Sequence, residues 1–334
     1  MTVAANPISV DWHTGTATHA GPLEAAGLRI MRLAASLLAP LDSFGFSYVA
    51  SLVGKIFPSD RSVRLQIDTD SSFTFPYGDR YWSRMLQPGS RYEEEIEDLL
   101  IALKSVDYAF VDCGANYGFW SVKVTSERFG QHPAVAIELD PDTFAGLQVN
   151  AGENGNRFDC LNRAVFDKDG EHLDIFGDKH EARTVAASDA GTARHGSVLS
   201  STLDRIVADA GFQTHGKVVL KLDVEGVEIK ALQGAAQLLE KDVLLIYEDH
   251  GSDRDHEISR YLTANEAMRV FGYLKGSFFE IEDLADLTSL KTNRRKGYDF
   301  FATRSQFWLD QLAGLIAGQS VSGPNSAELR RKRG

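Results

Sequence analysis

Val111-Asp112-Cys113-Gly114-Ala115-Asn116-Tyr117-Gly118 follows the apolar residues Tyr108-Ala109-Phe110 and opens a segment with helical character. An acidic residue and two glycines four apart, at a strand-to-helix turn, meet the needs of a nucleotide-like ligand. Glycine takes positive φ without strain and, lacking a Cβ, admits a close approach. The helix that follows presents unpaired N–H groups at its first turn. A dinucleotide fingerprint would run G-x-G-x-x-G. The order here is D-x-G-x-N-x-G, which points to an S-adenosylmethionine site instead.

Around this turn the chain alternates strands and helices, the pattern of a mostly parallel α/β sheet. The strands are expected at Tyr108–Asp112, Ala134–Leu139, Phe158–Val165, Val218–Leu222 and Val243–Tyr247. Helices are expected at Tyr117–Phe129, from Pro141 to about Asn154, and at Leu203–Ala210, Val227–Leu239 and Glu257–Phe271. Tyr273–Ile281 and Tyr298–Ala302 read as a final antiparallel pair. His172–Phe176 reads as a hairpin partner of the third strand, and 178–200 as a loop lying over the site. The fold class is therefore α/β, a Rossmann-like sheet of seven strands with helices on both faces and an N-terminal extension of helices and a β-hairpin. Residues 1–20 read as disordered, 21–105 as that extension, 106–305 as the ligand-binding domain, and 306–334 as a C-terminal helix and basic tail ending in Arg330-Arg331-Lys332-Arg333.

Composition sets limits on function. The 334 residues are 43% hydrophobic and 25% charged, as in ordinary globular proteins, with a formal net charge of −12. That balance argues against a nucleic-acid substrate, which calls for a basic surface. The two cysteines, Cys113 and Cys160, read as buried thiols rather than a disulfide framework. No secretory signal pattern appears, so a cytoplasmic location is expected. The apolar stretch from Leu23 to Phe57 is broken by Arg29, Arg32, Asp42 and Lys55, too soon to span a bilayer. Within it Leu23, Ile30, Leu33, Leu37, Leu38 and Leu41 approximate a helical stripe. The stripe is expected to pack on the main domain or on a second copy in a homodimer. Contact of residues 23–57 with the inner membrane face is the alternative.

Ligands of open α/β sheets sit beyond the carboxyl ends of the strands. Asp112, Gly114, Ala115, Asn116 and Gly118 lie after the first strand as cofactor candidates. Glu138, 24 residues after Gly114, ends the second and can accept ribose hydroxyls, with Leu139 beside it. Ala164, in the segment 162–165 ending the third strand, falls where adenine contacts are usual. Asp223-Val224-Glu225-Gly226 follows the fourth strand at the reactive end, and Glu248-Asp249-His250 the fifth. Asp223 is the first candidate for a catalytic base and for cofactor contact, with His250 and Glu225 the other catalytic candidates. Each has a plainer reading: Asp112 as a cap, the acids after Leu222 as first-turn carboxylates, His250 as a solvated loop residue. No metal-ligand spacing, H-E-x-x-H, C-x-x-C or G-x-S-x-G occurs, so no metal is assigned. A pairing of Asp223 with Asp249 on a divalent ion is the minor exception.

The sequence resembles the FkbM family of S-adenosylmethionine-dependent methyltransferases. The resemblance is carried by Phe110-Val-Asp-Cys-Gly-Ala-Asn-Tyr-Gly-Phe119, by Ile137-Glu-Leu-Asp-Pro141 with Asn150, and by Thr202-Leu-Asp204. Most specific are Lys221-Leu-Asp-Val-Glu-Gly-Val-Glu228 and Ala231-Leu-Gln-Gly234; the similarity spans roughly residues 90–275. It implies a class I methyltransferase fold, S-adenosylmethionine as cofactor, and O-methylation of a hydroxyl on a sugar, glycan or natural product. Cofactor roles transfer to Asp112, Gly114, Asn116, Gly118 and Glu138, and the acidic motif to Asp223, Glu225 and Glu228. A nicotinamide-dependent oxidoreductase and a non-catalytic binding protein on the same fold are the rival readings.

Overall fold

The computed structural model describes residues 6–41, 43–177, 179–187 and 195–319. Strands β1 (Ile8–Asp11) and β2 (Ala17–Thr18) lead into helices α1 (Pro22–Leu38) and α2 (Phe46–Ile56). Strands β3 (Ser62–Asp68) and β4 (Ser71–Pro76) form an antiparallel hairpin, and α3 (Glu94–Ala102) follows. These strands make a small sheet in the order β2-β1-β3-β4, with β1 parallel to β3. The expected disorder over 1–20 is thus corrected for the described part. Ile8 and Val10 alternate as buried positions and draw the segment onto β3, an ordinary strand signal that is only four residues long.

The main unit begins with β5 (Ala109–Cys113), α4 (Phe119–Val124), β6 (Ala134–Glu138), α5 (Pro141–Glu153) and β7 (Phe158–Asn162). Four short strands follow: β8 (Ala164–Val165), β9 (His172–Phe176), β10 (Thr184–Ala187) and β11 (Ser197–Ser201). Next come α6 (Leu203–Asp209), β12 (Lys217–Leu222), α7 (Glu228–Gln233), β13 (Asp242–Glu248) and α8 (Glu257–Asn265). The chain closes through β14 (Arg269–Leu274), β15 (Ser277–Ile281), α9 (Leu287–Leu290), β16 (Asp299–Thr303) and α10 (Gln306–Gln319). The large sheet runs β15-β14-β16-β13-β12-β5-β6-β7. Its five strands from β13 to β7 are mutually parallel, whereas β16 is antiparallel to β13.

Both faces of this sheet are buried, and the strand alternation sorts the side chains between them. Phe110, Ala136, Val219 and Ile246 join one core with the N-terminal extension, α4, α5 and α10. Val111, Ile137, Leu220 and Leu245 join a second core under α6, α7 and α8. The extension therefore shares a single core with the main sheet, through Trp12, Phe73, Trp82 and Phe119. Two asparagines, Asn150 in α5 and Asn154 at its C-terminal cap, complete the joint. Asn150 Oδ1 accepts from Thr74 N at 2.7 Å while its Nδ2 donates to Thr74 O at 2.8 Å, and Asn154 repeats the pattern on Ser72 at 3.0 and 2.8 Å. One turn of α5 thus serves as the missing neighbour strand of β4.

Three local expectations change. Helix α8 stops at Asn265, and Arg269–Leu274 is a strand, not the helix's last turns. Aromatic Phe271 and Tyr273 flank Gly272, and the hairpin turn to β15 is Lys275-Gly276, both at positive φ (52° and 81°) as a tight two-residue turn needs. β9 does not pair with the third strand; it sits between β10 and β11 in a separate four-stranded sheet, β10-β9-β11-β8. Within the expected loop 178–200, residues 184–187 and 197–201 are consequently strands, and 188–194 lie outside the described residues. The apolar stripe on α1 points away from the protein: Leu23, Ile30, Leu33 and Leu37 are exposed, and Gly27, Leu28, Met31 and Ala35 form the buried face instead. Residues 1–5 and the basic tail beyond Gln319 also lie outside the described residues. No helix among the described residues is long and apolar enough to cross a membrane.

Candidate active site

The parallel strands deliver their carboxyl ends to one cleft of about 620 Å³, counting space open to solvent. The pairing register dictates what stands there. Asp112 pairs with Lys221, and Cys113 with Leu222, on adjacent strands. Leu222 in turn pairs with Tyr247, so Asp223 and Glu248 come next side by side, and Glu248 pairs onward with Asp299. A row of acids thus crosses three strand ends.

The glycine turn closes on itself more than on a ligand. Gly114 has φ +76°, and a Cβ there would sit 1.7 Å from the Asp223 carbonyl oxygen. Gly118 has φ +84°, and a Cβ there would meet Leu147 at 2.5 Å. Both glycines are needed for backbone conformation and for protein–protein approach, not to leave room for a ligand. Between them Asn116 is also left-handed at φ 53°; its backbone N donates to Glu138 Oε2 at 3.0 Å. Its side-chain oxygen accepts from Trp82 Nε1 at 2.9 Å and its Nδ2 meets His180 Nδ1 at 3.1 Å. One amide therefore ties together the extension, the turn and the segment over the cleft.

Glu138 is buried in the cleft wall. Besides Asn116 N, the backbone N of Asp140 donates to its Oε1 at 2.8 Å, leaving further lone pairs on both oxygens. Burial pushes its carboxyl up to about 8 despite those donors. Asp112 is also buried, accepts from Ser121 Oγ at 2.7 Å, and is raised by burial against the pull of Lys221. At the far end Lys221 Nζ lies 2.8 Å from Asp223 Oδ2. Burial disfavours that ammonium, but Asp223, Glu93 and Asp112 outweigh it and hold the charge firmly. Glu225 makes no side-chain hydrogen bond among the described residues; burial, with Asp223 and Glu228 nearby, pushes its carboxyl up to about 7. Burial, with Asp223 and Glu225 nearby, also raises Glu248 well above its ordinary range. One carboxylate oxygen from each of Asp223, Glu225 and Glu248 lies within 4.8 Å of the others.

The candidates from sequence separate cleanly. Asp112, Gly114, Ala115, Asn116, Glu138, Leu139, Asp223 and Glu225 all line the cleft. Gly118 lies behind it against α5, and Ala164 is buried in the core of the β10-β9-β11-β8 sheet. His250 is corrected: it is exposed, bonded to Ser252 Oγ at 2.6 Å, and does not line the cleft. Asp249 is corrected too as a partner for Asp223, since it is buried among Lys291 and Ser259. Strand alternation explains Asp249: Glu248 groups with Asp223 and Glu225, so the next side chain turns to the opposite core, a period-two signal present in Tyr247-Glu248-Asp249. Sequence reasoning also missed the aromatic wall of Tyr81, Trp82 and Tyr92, and the cover of His180, Glu181 and Arg183. His180 Nε2 is 3.0 Å from Asp79 Oδ2, and its ring stacks on Tyr117 at 5.2 Å; neither contact has a signature in a motif.

Residues 112–275 match the sequence model of the methyltransferase FkbM domain. No curated protein matches the chain. Among solved structures, a precorrin-6y methyltransferase from Geobacter metallireducens shares 9% identity, over 64% of this chain and 90% of that one, with a TM-score of 0.35. An rRNA methylase from Streptococcus thermophilus shares 8% over 65% and 99%, at 0.36. TYW2 of P. horikoshii, in complex with MeSAdo, shares 10% over 80% and 86%, at 0.32.

Counted from β5, the sheet order is third, second, first, fourth, fifth, seventh, sixth, with an antiparallel seventh strand and β15 added at the edge. This is the class I, Rossmann-like sheet, and the cofactor is S-adenosylmethionine. The cleft fits that group. A buried carboxylate with spare lone pairs suits a diol, and a wall of acids with a single lysine suits a cationic sulfonium and ammonium.

Proposed function

We propose that this chain, whose residues 112–275 make it a member of the FkbM methyltransferases, methylates a hydroxyl of a small-molecule or glycan acceptor. One observation carries the reading: Asp112, Glu138, Asp223 and Glu225, from three adjacent parallel strands and their following turns, line one cleft. Glu138 would hold the ribose hydroxyls, Leu139 and Ala115 the neighbouring walls, and Asp112 the amino end. Bound there, S-adenosylmethionine supplies an electrophilic methyl group that needs alignment more than activation. The protein's task is positioning, worth on the order of 7–11 kcal/mol when two reactants are held in line. A neutral hydroxyl still has to lose its proton. Glu225, unpaired and poised near neutrality, takes that proton, while Lys221 keeps Asp223 oriented. Tyr81, Trp82 and Tyr92, packed edge to face and tilted on one another, give the acceptor an aromatic wall suited to a sugar ring or a polyketide.

Calorimetry with S-adenosylmethionine and with a nicotinamide dinucleotide, followed by mass spectrometry of acceptors incubated with the cofactor, tests this reading. Binding of the dinucleotide alone would replace it by the oxidoreductase; unchanged cofactor affinity in Asp112→Ala and Glu138→Ala would move the site elsewhere. A second reading rests on the grouping of Asp223, Glu225 and Glu248, which is set to hold a divalent cation that polarises the hydroxyl in place of a base. Activity that EDTA abolishes and magnesium restores favours it.

A further inference from the structure

Helices α1 and α2 pack on each other and against the body, yet each also turns large apolar side chains outward. Leu23, Leu33 and Leu37 on α1 and Tyr48, Leu52 and Ile56 on α2 are 57 to 75% exposed. On each helix they fall in one narrow arc opposite the buried face. Soluble monomers rarely leave such a patch without a partner.

The charges identify the partner. The two helices carry only Glu24, Arg29, Arg32 and Lys55. Glu24 is consumed by Arg61 at 2.7 Å, so the net charge left over is positive in a chain of net charge −12. Arg29 and Arg32 also line a second cavity, about 720 Å³ counting space open to solvent, whose other walls include Val10, Ala17, Leu28 and Leu86. Arg32 gives one N–H to Gly15 O at 2.8 Å and keeps donors to spare. A second copy docked by the same face would set these cations against their duplicates. An anionic bilayer satisfies both halves of the surface at once: acyl chains for the leucines, the headgroup region for Tyr48, and phosphates for the guanidinium groups.

We propose that the outer face of the α1–α2 hairpin docks on an anionic lipid bilayer, with Arg29 and Arg32 meeting headgroup phosphates at the mouth of the second cavity. The docking face lies one packing layer from the cleft, because α1 rests on the turn Trp82–Leu86 and Trp82 lines the cleft wall.

Flotation of the full chain with vesicles tests this without any methyl-transfer readout. The chain is expected to float with equimolar phosphatidylglycerol and phosphatidylcholine, and to stay behind with phosphatidylcholine alone. Arg29→Gln with Lys55→Gln should weaken binding about 25-fold, at roughly fivefold per cation near the surface. Leu37→Asp with Tyr48→Asp should abolish it with an unchanged melting curve, since both side chains already face solvent. Failure to float with either vesicle overturns the proposal. Displacement by inorganic phosphate at matched ionic strength would reassign the arginines to a free anion and overturn it too. So would a dimer by light scattering that the aspartate pair converts to monomer, because the face would then belong to a second copy.

Discussion

In the proposed reaction, Glu225 concentrates the tension between stability and activity in one residue. It is a non-glycine residue at φ 53°, followed by Gly226 at φ 93°, so the strand end leaves the sheet through two left-handed steps. A side chain in that region costs roughly 1–2 kcal/mol. Glu225→Gly is therefore expected to stabilise the fold by about 1 kcal/mol in urea titrations while abolishing turnover. Glu225→Gln keeps the shape and removes the proposed proton acceptor; kcat should fall by about 10²–10⁴-fold. In the parent enzyme kcat/KM should drop as pH falls below about 7, where burial and the neighbouring Asp223 keep this carboxyl protonated. The Gln variant should lose that limb.

Among the elements, the joint between α5 and β4 is the most exposed to a single change. Asn150 satisfies both the N–H and the C=O of Thr74 from inside the core. Asn150→Ala would strand those two buried groups, at about 1–3 kcal/mol each, and lower the melting temperature accordingly. Asn150→Asp supplies the acceptor but not the donor, and should recover only part of the loss. The parallel strands were legible because each is a short apolar run bounded by glycine, acid or proline, and both faces are buried. β14 was not, since Arg269-Val270-Phe271 continues a helical pattern and only tertiary pairing with β15 and β16 makes it extended. The site divided in the same way. Residues adjacent to the glycine turn and the acidic run declared themselves by spacing, whereas the Tyr81–Tyr92 wall and His180 reach the cleft from distant segments that no local pattern connects.

Across the whole molecule, buried acids shape the response to pH. Burial pushes Glu138 up to about 8 and Glu225 up to about 7, against an unfolded value of 4.5. The folded state thus holds protons that the unfolded chain has released. Stability from these groups is complete below pH 4.5 and is lost as pH rises through about 7 and then about 8. Melting temperature is expected to decline from about pH 4.5 to about pH 8, and Glu138→Gln should flatten the upper part of that decline. Ligand at saturating concentration should offset it, because binding to the folded state alone adds stability by mass action.

The contact between Gly114 and the Asp223 carbonyl joins the two halves of the sheet at its switch point. Neither strand end can shift without carrying the other, so the cofactor seat and the acidic row behave as one rigid block. Adaptation to new acceptors then has to come from the opposite wall, where Tyr81, Trp82, Tyr92 and the cover at 180–183 come from segments outside the large sheet. The half of the cleft that would seat the cofactor is fixed by the sheet, and the choice of acceptor falls to the other half, within the limit that Trp82 is tied into the shared core.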